Sequence, residues 1–319
     1  MALMTRSVPA IATTGLSKDF GSGRGLFDLD LEVRTGEVFG FLGPNGAGKS
    51  TALKLLLGLI RPTAGGARVL GLDTIADSLE IRRRVGFLPG DLALYPKLTG
   101  RAMLDHLAAL RGGVDMRVRE SLVQRFGADL DRPIHQLSTG NRQKLGIVQA
   151  FMHEPELLIL DEPIAGLDPL MQQNFHTLLG EVRAAGRTVF LSSHTLSEVE
   201  RVTDRLAILR HGRLIVVDSI DNLRRVATQR LEIEFAGPVG GDEFRALPAV
   251  SDVRAAGSIL TISFEGSADA VIKAAARHEV QAVRPREDDL QEIFLRYYRD
   301  DGEGDGGAQG EDSEHEGGR

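Results

Sequence analysis

Apolar residues at Leu29, Leu31 and Val33 alternate with Asp30 and Glu32, which is the period of a half-buried strand. An unbroken apolar run follows at Val38–Leu42 and reads as a strand buried on both faces. The stretch from Ile11 to Leu42 therefore predicts short strands. A Gly-rich turn separates them from a helix-period segment at Ser50–Leu59. Further strands are predicted at Val85–Leu88, Leu157–Leu160, Thr188–Leu191, Leu206–Leu209 and Leu214–Val217. Helices are predicted between them, at Arg101–Leu110, Arg117–Arg125, Arg142–Met152, Met171–Arg183 and Leu196–Val202. Such alternation predicts an α/β fold in which helices wrap a mainly parallel sheet. From Arg230 the rhythm changes: strands at Leu231–Phe235, Val250–Ala255, Ile259–Phe264 and Val280–Val283, with one helix after the first and another at Ala268–Ala276. A last helix is expected from Asp289, where Glu292 completes a capping box and Leu290, Ile293, Phe294 and Tyr297 form one stripe. The expected organisation is a first domain over 9–228, a small α+β domain over 229–299 and a tail over 300–319, with no internal repeat.

Composition sharpens this picture. A chain of 319 residues with 42% hydrophobic and 26% charged residues suits two soluble globular domains. No run approaches the roughly 18 apolar residues of a spanning helix, and Met1–Ser7 lacks a following apolar region, so a cytoplasmic chain is expected. Zero cysteines exclude disulfides, thiolate nucleophiles and iron–sulfur clusters, leaving oxygen or histidine for any metal. The segment from Asp300 to Arg319 carries eight acidic residues against one arginine, a net −7 that equals the charge of the whole chain. The body is thus formally neutral and has no global field for a nucleic-acid backbone, so no nucleic-acid partner is expected. The tail, rich in Gly and acid and free of aromatics, is expected to be disordered.

Two motifs carry chemistry. Gly43-Pro44-Asn45-Gly46-Ala47-Gly48-Lys49-Ser50-Thr51 fits the phosphate-loop pattern G-x-x-x-x-G-K-[ST] between a predicted strand and a predicted helix. Glycines there let backbone N–H groups close around phosphates, the helix start adds its positive end, and Lys49 adds a point charge. Ser50 suits Mg²⁺. The strand ending in Asp161-Glu162-Pro163 delivers two adjacent carboxylates at its C-terminal end, where ligands sit in open α/β sheets. Asp161 suits a water-mediated Mg²⁺ contact and Glu162 the activation of an attacking water.

In this order of motifs the chain resembles the ATP-binding cassette (ABC) ATPases, the motor subunits of ABC transporters. Leu137-Ser138-Thr139-Gly140-Asn141 is similar to the family's L-S-G-G-Q signature and lies about twenty residues before Asp161. The resemblance implies that Ser138 and Gly140 close over nucleotide held by a second subunit, most simply an identical copy. It implies that Ala165-Gly166-Leu167-Asp168 is the D-loop touching that subunit, and that His194 is the switch histidine beside the γ-phosphate. Phe20 takes the place of the aromatic that stacks on adenine. ATP and Mg²⁺ are the implied cofactors, with Ser50, Asp161 and Asp91 toward the metal.

The sequence also departs from that family pattern. Thr139 and Asn141 replace Gly and Gln in the signature, and Gly90, followed by Asp91, stands where the family has Gln or Glu. Gly90 offers no side chain, so Asp91 is expected to take over a water or Mg²⁺ contact. The run Pro89–Thr99, the signature and the C-terminal domain look like those of bacterial drug and antibiotic exporters. The resemblance implies a P-loop ABC ATPase domain with a helical subdomain and an antiparallel β part. It implies docking, near residues 90–110, to a separately encoded membrane permease at the inner face of the membrane. A soluble ABC protein acting on ribosomes or DNA, and a non-hydrolysing regulatory cassette, are the alternatives. The remaining histidines show no metal-ligand spacing. Arg82-Arg83-Arg84 is expected to be a solvated helix end.

Overall fold

The computed structural model describes residues 8–226 and 229–286, which fall into two compact units divided between Arg224 and Arg225. The first unit begins with the antiparallel pair β1 (Ile11–Asp19) and β2 (Gly25–Val33), then β3 (Val38–Leu42) and α1 (Lys49–Leu56). It continues with β4 (Ala64–Val69), β5 (Leu72–Asp73), α2 (Ser78–Arg84) and β6 (Val85–Leu88). Three helices follow, α3 (Gly100–Leu110), α4 (Met116–Phe126) and α5 (Thr139–Phe151). The chain then alternates through β7 (Leu157–Asp161), α6 (Pro169–Ala184), β8 (Thr188–Ser193), α7 (Leu196–Glu200) and β9 (Arg205–Arg210). It closes with β10 (Arg213–Ser219) and the start of α8 (Ile220–Val226), within which the division falls.

These strands form two sheets. The six-stranded sheet has the order β10-β9-β3-β8-β7-β6 and is parallel except for β10. Every residue of β3, β7 and β8 is buried, as their unbroken apolar runs require. The C-terminal ends of these strands come out together, and each leads into one of the sequence motifs. The second sheet, β2-β1-β4-β5, is antiparallel. Its core residues Ile11, Leu29, Leu31, Val33 and Val69 join Phe39, Phe41, Leu53 and Leu56 in one apolar cluster, which fixes α1 between the sheets.

The second unit contains β11 (Gln229–Phe235), α9 (Asp242–Arg245), β12 (Val250–Ala256), β13 (Ile259–Phe264), α10 (Asp269–Ala275) and β14 (Val280–Arg286). Its sheet is antiparallel in the order β12-β13-β11-β14. Ile233, Phe235, Leu260, Ile262 and Phe264 pack with Phe244 and Val271 of the helices, so the small α+β character of this region is as expected.

Local differences from the sequence reading have physical causes. The helix expected to reach Leu59 ends at Leu56, because Gly58 turns left-handed (φ 61°) and Leu59 N–H closes back on the Lys54 carbonyl at 2.9 Å. Strands β4 and β5 were not predicted: the Gly65-Gly66 pair interrupts any apolar alternation, and pairing with β1 supplies what propensity does not. The arginine run is not simply solvated. Arg84 forms a two-point ion pair with Glu156 (2.8 and 2.7 Å) and Arg82 caps the Leu57 carbonyl at 3.1 Å, leaving Arg83 as the exposed member. The expected helix from Asp289 and the acidic tail lie outside the described residues.

Candidate nucleotide site

The loop between β3 and α1 is held open by its backbone. Gly46 and Gly48 adopt φ of 82° and 104°, a conformation that penalises any other residue, and a Cβ on Gly48 would lie 2.9 Å from the Gly25 carbonyl. Gly48 precedes α1 without any side-chain cap, so the first N–H groups of the helix are left for a ligand. Lys49 is buried. Its ammonium donates to the Gly43 carbonyl (2.6 Å) and the Pro44 carbonyl (3.3 Å) and lies 3.3 Å from Glu162 Oε1.

β7 carries the carboxylates to the same place. Asp161 Oδ2 accepts from Ser50 Oγ at 2.7 Å and Oδ1 accepts from Ser192 Oγ at 2.5 Å, so both oxygens are directed. Glu162 has φ 49°, the left-handed region, which costs a non-glycine residue about 1 kcal/mol or more. Its N–H is shared between the carbonyl (3.2 Å) and the hydroxyl (3.3 Å) of Ser192 on the adjacent strand β8. The turn carries the Glu162 side chain between Lys49 and His194, whose Nδ1 lies 2.9 Å from Glu162 Oε2. His194 follows directly on β8.

These groups border a cavity of about 420 Å³ lined by Pro44, Asn45, Gly46, Gly48, Lys49, Ser50 and Thr51, with Gly90, Asp91, Asp161 and Glu162 opposite and Phe20 at its mouth. Its size is in the range of small-ligand sites. Phe20 is 54% exposed, beyond the end of β1, with the Lys18 ammonium 5.5 Å from its ring centroid. It is therefore an exposed aromatic with a cation over one face, and not a core residue. Asp91 lies on the wall, and Gly90 passes so near that a Cβ there would sit 3.3 Å from Asp161 Oδ2. Gly43 and Ala47 belong to the same loop but face inward: a Cβ on Gly43 would meet the Leu209 carbonyl at 2.6 Å, and Ala47 is buried.

Ser138 and Gly140 are not brought to this cavity. Ser138 is the N-cap of α5, its hydroxyl accepting from Asn141 N–H at 3.2 Å, and Asn141 Oδ1 accepts from Asp129 N–H. Asp168 of the D-loop caps α6 through Met171 N–H at 2.9 Å. The oxygen donors of Ser50 and Asp161 suit a hard divalent cation. No group of three or more His, Asp, Glu or Cys side chains forms a metal cage among the described residues, so Mg²⁺ would draw its other ligands from water and phosphate.

The structure adds residues that the motifs did not flag. Arg24 and Gly25 line the cavity, Ser192 orients the Asp161 carboxylate and holds the Glu162 backbone N–H, and Gln143 is buried with its amide on the Pro163 carbonyl at 2.8 Å. Only Gln143 had a possible signal in sequence, as a polar residue on the apolar stripe of α5. Among the other histidines, His153 Nε2 faces the Val85 carbonyl (3.3 Å) and His278 pairs with Glu243 (3.0 Å).

A family model for the ABC transporter family matches residues 26–165. The bacitracin transport ATP-binding protein BcrA of Enterococcus faecalis is 32% identical over 293 residues, spanning 90% of this chain and 95% of that protein. The daunorubicin/doxorubicin resistance ATP-binding protein DrrA of Streptomyces peucetius is 37% identical over 225 residues, 69% of this chain and 68% of that one. The solved structure of an ATP-binding subunit of an ABC transporter superposes with a TM-score of 0.62 at 33% identity, over 68% of this chain and 92% of that chain. Sequence relatives, fold and the arrangement of β3, β7 and β8 around the glycine loop agree: the chain belongs to the ABC transporter family, as an ATP-binding subunit with the P-loop ABC ATPase fold.

Proposed function

We propose that this subunit hydrolyses ATP to drive export through a separate membrane permease, working as a dimer of two copies. The observation that carries hydrolysis is the chain Lys49–Glu162–His194, with contacts of 3.3 and 2.9 Å, placed next to the Ser50–Asp161 pair at the open end of the phosphate loop. The loop N–H groups and Lys49 bind and orient the triphosphate, and Phe20 stacks on the base. Glu162 Oε2, turned toward His194, orients the attacking water and receives its proton, while His194 holds the carboxylate in place. When bound, Mg²⁺ supplies charge neutralisation for the β- and γ-phosphate oxygens; Ser50, Asp161 and, through water, Asp91 would hold it.

The dimer reading is supported by the separation of the signature from the cavity within one chain. Ser138 caps α5 within its own chain, and the exposed start of that helix leaves N–H groups that another chain's nucleotide could meet. Export is supported by the relatives named for bacitracin transport and daunorubicin resistance. A separate permease is supported by the lack, among the described residues, of any helix long and apolar enough to cross a membrane. That partner would hold the subunit at the cytoplasmic face of the membrane. The two-unit division supports a cassette over 9–228 with an accessory domain over 229–299.

The test is phosphate release from Mg-ATP by the wild type and Glu162→Gln, with binding followed by calorimetry. The variant should bind Mg-ATP and turn over at least about 10²-fold more slowly. Hydrolysis at the wild-type rate would remove Glu162 from the reaction.

A further inference from the structure

One face of α5 touches three loops of its own subunit's nucleotide site. Gly140, Gln143 and Gly146 recur at three-residue spacing and so share that face. A Cβ on Gly140 would lie 3.0 Å from the Gly166 carbonyl in the D-loop, so the helix start lies hard against that backbone. Gln143, 6% exposed, donates its Nε2–H to the Pro163 carbonyl at 2.8 Å, across 20 residues of sequence. A Cβ on Gly146 would meet the Leu92 side chain at 2.8 Å, next to Gly90 and Asp91. The N-terminus of this helix is the signature that, on the reading above, meets the nucleotide of the other copy.

We propose that Gln143 is a positioning residue that couples the two nucleotide sites of the dimer: it ties the signature helix to the Glu162–Pro163 turn of its own site. Glu162 is a natural receiver for such a tie. Its backbone sits in a sparsely populated conformation (φ 49°), held on one side by Ser192 and on the other, one residue away, by the Gln143 amide. A displacement of α5 when its N-terminus engages the partner's nucleotide therefore reaches the carboxylate through one buried hydrogen bond. Removing the donor leaves the Pro163 carbonyl unsatisfied and lets the turn relax, while the phosphate loop, which Gln143 does not touch, keeps its geometry.

This inference rests on the hydrolysis reading, and the experiment separates the two. Steady-state rates against Mg-ATP concentration are measured for wild type, Gln143→Met, Glu162→Gln and the double variant, with binding affinity for each. If Glu162→Gln retains the wild-type rate, the hydrolysis reading fails. With that reading intact, the wild type should show a Hill coefficient above 1, and Gln143→Met should lower kcat about tenfold, bring that coefficient to 1, keep Mg-ATP affinity within about twofold, and add nothing in the Glu162→Gln background. Gln143→Leu, uncharged, close in size and lacking the donor, should act alike and replaces the methionine variant if that one misfolds. An unchanged kcat and Hill coefficient, or equal losses in both backgrounds, would overturn the coupling and leave Gln143 a packing residue.

Discussion

Lys49 has three oxygen contacts within 3.3 Å, two of them to the loop's own Gly43 and Pro44 carbonyls, and its flexible stem lets the ammonium turn from these to a phosphate oxygen while the loop stays in place. Lys49→Ala is expected to reduce Mg-ATP affinity by more than tenfold in calorimetry, since a desolvated triphosphate loses its nearest cation. Affinity within twofold of wild type would place Lys49 away from the phosphates. Gly90 offers a sharper test of the metal side. A methyl group there would press on the Asp161 carboxylate at 3.3 Å, so Gly90→Ala should raise the Mg²⁺ concentration needed for half-maximal hydrolysis, and Asp91→Ala should raise it further. Equal activity of all three proteins across a Mg²⁺ titration would take this loop out of the metal site. At this scale the phosphate loop and the Asp161-Glu162 pair were legible, because their chemistry needs contiguous residues. Ser192 and Gln143 were not: each acts through a residue 30 or 20 positions away, a proximity made by strand and helix packing.

Among elements, α5 links the most chemistry. Its start is the signature, with Ser138 as N-cap, so the expected helix from Arg142 in fact begins three residues earlier, at Thr139. A Ser-Thr-Gly-Asn string reads as a turn unless the capping geometry is known. Just beyond its end, burial and then the charge of Arg111 push His153 down to about 4, so the folded protein keeps the ring neutral. The unfolded chain protonates it near pH 6.5, so this contribution is complete above that pH and is lost as pH falls toward 4. Urea-unfolding free energies of wild type and His153→Gln, compared at pH 7 and 4.5, should differ in their pH loss by about 2 kcal/mol after allowance for partial exposure. Identical losses would show that His153 is not held neutral. The central strands were predicted nearly to the residue because each is buried on both faces, whereas β4, with its paired glycines, is a strand only because β1 lies beside it.

For the whole molecule, the sheet order brings the phosphate loop, the carboxylates and His194 to one edge, while the signature stays at the head of α5, away from that cavity. The cassette character of the first unit was legible from the order of the motifs, and the change of rhythm near Arg230 lies a few residues beyond the division between Arg224 and Arg225. The dimer was implied only by resemblance, and on the proposed reading its physical ground is the separation of the signature from the cavity. Its most direct test is the molar mass of Glu162→Gln in solution with Mg-ATP, measured by light scattering. Blocked hydrolysis should trap nucleotide between Lys49 of one copy and Ser138 of the other, doubling the mass relative to the nucleotide-free protein, and adding Ser138→Arg should return it to the monomer value. A Glu162→Gln protein that binds Mg-ATP yet keeps the monomer mass would contradict a nucleotide site completed by a second copy of this chain.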